Sequence, residues 1–73
     1  MTDDLRMSLK QTDDQMREEN EHIAHGKAMI EKATAEGHDP TPYRKSVVAM
    51  RHFREALQHH RRILLERLGL YRP

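Results

Sequence analysis

Leu9, Met16, Ile23 and Ile30 fall seven residues apart, and so do Tyr43, Met50, Leu57 and Leu64. That spacing returns an apolar side chain to one face of an α-helix every two turns. Between the two ladders lies Gly37-His38-Asp39-Pro40-Thr41-Pro42. Glycine there ends one helix, and an acid followed by proline starts the next. The pattern confines the chain to an all-α, antiparallel two-helix hairpin, because a short connection makes its two helices neighbours. The expected boundaries are helix 1 over about 3–36, a loop at 37–39 and helix 2 over about 40–68, within one domain spanning 1–73.

Each rung of the first ladder is followed three residues later by Thr12, Glu19, Gly26 or Ala33. This is a seam with one large apolar rung and one small or polar rung. Gly26 costs about 1 kcal/mol relative to alanine inside a helix, which close approach of the partner helix would offset. Thr2-Asp3-Asp4 recurs as Thr12-Asp13-Asp14. Thr12 with Gln15 has the form of a capping box, yet the reading favoured is one continuous helix, frayed over 1–11. In helix 2 a second ladder of Ala49, Ala56 and Ile63 accompanies the first, with Phe53 and His60 on the same face. The expected core is Leu9, Met16, Ile23, Ile30, Tyr43, Met50, Phe53, Leu57, Ile63 and Leu64.

Charge divides with the helices. Residues 1–42 carry five bases against ten acids, and residues 43–73 carry eight against two, so the net charge of +1 conceals a −5 and a +6 half. Opposite helices of this kind favour antiparallel pairing, although each surface ion pair adds only about 0–1 kcal/mol. A chain of 73 residues buries only about 60% of the surface its unfolded form exposes. Small scaffolds of this kind use disulfides, metals or a partner chain. There is no cysteine, which excludes disulfides and thiolate zinc. Helix 2 has a wider apolar face than one helix covers, so the hairpin is expected to dimerise into a four-helix bundle.

Three functional surfaces follow. The surplus apolar edge, Val47, Val48, Leu68 and Leu70, is the expected contact with a second copy or another protein. Arg44, Arg51, Arg54, Arg61 and Arg62 form a stripe that suits a nucleic-acid phosphate backbone. Glu19, His22, Glu55 and His59 form a possible metal layer. A height rule, with residue i opposite the residue near 77 − i, sets His22 level with Glu55 and Glu19 level with His59. The string Arg17-Glu18-Glu19-Asn20-Glu21-His22 resembles the carboxylate-rich helix of ferritin-like proteins. Over those six residues the resemblance implies metal binding by inward Glu and a Glu-x-x-His pair. Helix 2 departs from that pattern, because heptad phase puts Glu55 on the polar side.

Catalysis is not expected. Ser8 and Ser46 have no triad context, and Gly26, Gly37 and Gly69 stand apart instead of forming a phosphate loop. The acidic start Met1-Thr2-Asp3-Asp4 is unlike a signal peptide, and no apolar run approaches the roughly 20 residues of a membrane span. The expectation is a non-enzymatic, cytoplasmic interaction protein without a cofactor or a membrane partner. It would dimerise and block or bridge another macromolecule.

Overall fold

The computed structural model describes residues 2–72; the outermost ends of the expected domain, Met1 and Pro73, lie outside them. Two helices, α1 (Thr2–Ala35) and α2 (Thr41–Arg67), pack side by side along their length. The result is a rod of 53 × 19 × 16 Å. At 1.5 Å per residue α1 alone is about 51 Å long, so one helix sets the length of the molecule.

α1 is continuous through Thr12-Asp13-Asp14. Thr12 does not cap a helix. It is buried in the seam, and its hydroxyl donates to the Ser8 carbonyl at 2.8 Å. Asp3 and Asp4 occupy the first turn and Lys32 the last, each matching the sign the helix dipole favours.

Both helices end in the same way. Gly37 has φ +74°, the His38 amide donates to the Ala33 carbonyl at 2.8 Å, and the Gly37 amide donates to Thr34 at 3.2 Å. At the end of α2, Gly69 has φ +71°, with the Leu70 amide donating to Leu65 at 2.8 Å and the Gly69 amide to Glu66 at 3.0 Å. These are two Schellman motifs, which place a left-handed residue just past the helix.

α2 begins one residue later than expected, at Thr41, with Pro42 in its first turn. Asp39 still serves that end: the Thr41 amide and hydroxyl donate to its Oδ1 at 3.0 and 2.7 Å. The hydroxyl bond, then the amide bond, hold the Asp39 carboxyl below its ordinary value of 3.8, with help from Arg44 and against slight desolvation.

The seam follows a heptad in both helices. On α1 the inward positions are Leu9, Thr12, Met16, Glu19, Ile23, Gly26, Ile30 and Ala33, each buried or half-buried. On α2 they are Val47, Met50, Arg54, Leu57, Arg61, Leu64 and Leu68. The apolar centre is Ile23, Ala33, Val47, Leu57 and Leu64. Two of the expected core residues, Tyr43 and Phe53, are instead 38% and 50% exposed. The second rung of α2 is therefore Val47–Arg54–Arg61–Leu68, and the Ala49–Ala56–Ile63 ladder lies outside the seam.

Register differs from expectation by about one turn. Arg54 meets Asn20 and Arg61 meets Asp13, so residue i sits level with the residue near 74 − i. The chain reverses at Gly37 itself, earlier than a loop centred on His38 and Asp39 would place the turn.

Candidate functional site: two unlike edges of one hairpin

In an antiparallel helix pair, the residues just outside the seam on one side of each helix share an edge, and those on the other side share the opposite edge. The two edges of this hairpin have different chemistry.

The first is the arginine edge. Arg54 and Arg61 occupy seam positions, yet their guanidinium groups reach out past α1. Arg54 Nη1 donates to Asn20 Oδ1 at 3.1 Å, and Arg61 Nε donates to Asp13 Oδ1 at 2.6 Å. Their stems bury against the seam while the charges reach the edge, as long basic side chains do. Arg54 Nε is buried with no acceptor among the described residues. Heptad phase adds Arg6, Lys10, Arg17 and Lys27 from α1 and Arg44, Arg51 and Arg62 from α2, all exposed. Nine of the thirteen Lys and Arg therefore share this edge, with only Asp3, Asp13, Glu31 and Glu55 of the twelve acids. The charge division that follows the helices in sequence becomes, in the folded chain, a division between edges.

The second is the apolar edge. Ala49, Phe53, Ala56, His60 and Ile63 lie on α2 at alternating four- and three-residue spacing. Phe53 is half exposed. Near the connection the edge deepens into an open notch of about 410 Å³, lined by Met29, Ala33, Pro42 and Tyr43 and equally by Lys32, Glu36, His38 and Asp39. Glu18, His22 and His25 flank the stripe from α1 and are polar, so the apolar surface belongs to α2.

The expected sites are redistributed by this geometry. Of the partner-facing set, Val47 is only 4% exposed and packs on Gly26; it faces the other helix, since its heptad position points into the seam. Leu68 is half-buried, for the same reason. Val48 and Leu70 are about half exposed, but Val48 lies among the arginines and Leu70 follows the helix end. The five arginines do share one side, although Arg54 and Arg61 are seam residues instead of a free stripe. Arg62 also donates to Glu66 at 3.2 Å and lies over the Tyr71 ring at 5.0 Å.

The metal layer does not assemble. Glu19 and His22 lie together, with His22 Nδ1 at 3.2 Å from Glu19 Oε1, but Glu55 and His59 point to solvent. Among the described residues no group of three or more His, Asp or Glu is placed to hold a metal ion. The one-turn difference in register sets His22 opposite His52 instead of Glu55. No described helix is long and apolar enough to cross a membrane.

Comparison with protein-family models finds no match, and neither does comparison with curated proteins or with solved structures.

Proposed function

We propose that this chain is a small non-enzymatic interaction module, which pairs with a second copy along the apolar edge of α2 and thereby docks on or bridges a macromolecular partner. The observation that carries this reading is the stripe Ala49–Phe53–Ala56–His60–Ile63, a second heptad face of which all but the half-buried Ile63 is exposed. A helix that shows two adjacent apolar faces is built to pack against two neighbours.

Surface area argues the same way. The accessible surface is 5780 Å², whereas a compact monomer of 8.7 kDa has about 4,700 Å². The excess, about 1,000 Å², is of the size that one partner contributes to a standard interface, about 800 Å². A second copy suits the stripe because a two-fold interface is self-complementary. Ala49 and Ala56 permit close approach, and Lys45 and Arg67 beside the stripe are brought near the acidic α1 of the other copy.

Native mass spectrometry and sedimentation equilibrium test the reading. Dimers are expected for the wild type, and Phe53→Glu should yield monomers of unchanged helicity. A wild-type monomer at 100 μM, or a Phe53→Glu dimer, would overturn it.

A further inference from the structure

We propose that the arginine edge is a docking site for the phosphate backbone of a nucleic-acid duplex. The inference is independent of self-association, because it uses the opposite edge of the hairpin.

The first argument is spacing. Placed by the register above, Lys27 sits level with residue 47 of α2, Arg17 with residue 57 and Lys10 with residue 64. These fill the intervals between Arg44, Arg51 and Arg62. A basic residue thus recurs every three positions on average, about every 4.5 Å along the rod. From Arg44 to the level of Arg6 the row is about 36 Å long, roughly ten base pairs of duplex.

The second argument is fixation. Arg54 and Arg61 are anchored by Asn20 and Asp13, and the Arg61 side chain stays 41% exposed with only its Nε engaged. A guanidinium held in this way loses less entropy when its remaining N–H groups meet phosphate oxygens. Three members of the row are paired, Arg17 with Asp14 at 2.6 Å, Arg61 with Asp13 at 2.6 Å and Arg62 with Glu66 at 3.2 Å; among the described residues Arg6, Lys10, Lys27, Arg44 and Arg51 are in no ion pair, so the edge keeps a net positive charge.

The third argument selects the partner. Single strands are held on aromatic platforms, and this edge has none free: Tyr43 and Phe53 lie on the other edge, and Tyr71 is covered by Arg62. Interfacial membrane helices interleave bulky apolar anchors with their bases. Here Val48 is the one exposed large apolar side chain in the row among the described residues. A long row of cations without stacking groups fits a duplex backbone, read by charge and not by base sequence.

Fluorescence anisotropy with the full chain and a labelled 24-base-pair DNA duplex, titrated from 50 to 200 mM NaCl, tests this. Binding should weaken steeply with salt. The triple variant Lys27→Gln/Arg44→Gln/Arg51→Gln should lose at least tenfold in affinity at 50 mM. Its log–log salt slope should flatten by about 0.9 for each phosphate contact removed. The control Lys32→Gln, away from this edge and from the stripe, should change affinity less than threefold. Circular dichroism establishes that both are folded; should the first triple unfold, the exposed pair Lys10→Gln/Lys27→Gln carries the same test with a smaller loss. No binding by the wild type at 50 mM, or equal losses in edge and control variants, would overturn the proposal. So would tighter binding to the corresponding single strand, or to phosphatidylserine vesicles, than to the duplex.

Discussion

Gly26 and Val47 pack directly against each other across the seam: a Cβ built on Gly26 would meet Val47 Cγ2 at 2.6 Å. The glycine is retained in mid-helix because nothing larger fits beneath a β-branched side chain that is 4% exposed and stiff at χ1.

Gly26→Ala therefore sets two effects against each other. Helix propensity favours alanine by about 1 kcal/mol, while overpacking a well-filled contact costs about 1–3 kcal/mol. The expected outcome in urea denaturation is a net loss of about 1 kcal/mol. In a Val47→Ala background the clash is gone, and the same substitution should stabilise by about 1 kcal/mol. If both backgrounds gave the same sign, the contact would not be the reason for the glycine.

Arg54 is the seam residue whose removal should help. Its Nε is buried without an acceptor, and desolvating such a group opposes folding. Arg54→Leu should raise stability by about 1 kcal/mol, seen as a higher denaturation midpoint with an unchanged urea slope. A large destabilisation would mean that the Asn20 contact outweighs the desolvation.

Thr12 separates the two readings of its neighbourhood. As a helix cap it would lose about 1 kcal/mol on truncation, and Gln15 would share the effect through a capping box. As a buried seam residue whose hydroxyl merely back-bonds to Ser8, it should accept Thr12→Val with a change below about 0.5 kcal/mol or a gain. Gln15→Ala should be similarly neutral, within about 0.5 kcal/mol. Thermal melts of both variants distinguish the cases.

Asp39 gives the hairpin an acid sensitivity of known sign. Its folded-state carboxyl is held below the ordinary 3.8 by two bonds from Thr41. Its stabilisation is therefore complete above the unfolded value and is lost as pH falls through the folded one. The melting temperature of the wild type should decline below pH 4, and Asp39→Ala should lower it at pH 7 while removing that part of the acid dependence. Parallel melts across pH 2–7 read the difference.

How far these features could be read from sequence depends on whether hydropathy marks the residue. In α1 both rungs were legible, including Thr12 and Gly26, because large apolar residues fix the phase and small ones follow three positions later. In α2 the phase of Met50, Leu57 and Leu64 was equally plain. Its second rung was not, since Arg54 and Arg61 read as solvent-facing while Phe53 and Ile63 read as core. The physical cause is the length of arginine, which can line a seam with its stem and keep its charge at the edge. The edge-wise sorting of charge was hidden for a related reason: it needs the phases of both helices at once, and a register that depends on where Gly37 turns the chain. Glu55 and His59 fall outside the seam by heptad phase and are exposed, so a metal layer built on level alone does not form from the described residues of one hairpin.

The seam arginines have a further consequence for how the hairpin closes. An apolar ladder that repeats every seven residues is a ruler with identical marks, and two such rulers can be laid together at several offsets. Slid by one heptad in one direction, Arg54 would take Asp13 but Arg61 would face Arg6; slid in the other, Arg61 would take Asn20 but Arg54 would face Lys27. Either displacement also pulls Gly26 from beneath Val47. The polar residues number the marks, so a hairpin with only five buried apolar side chains among the described residues still has one address at which its two halves agree best.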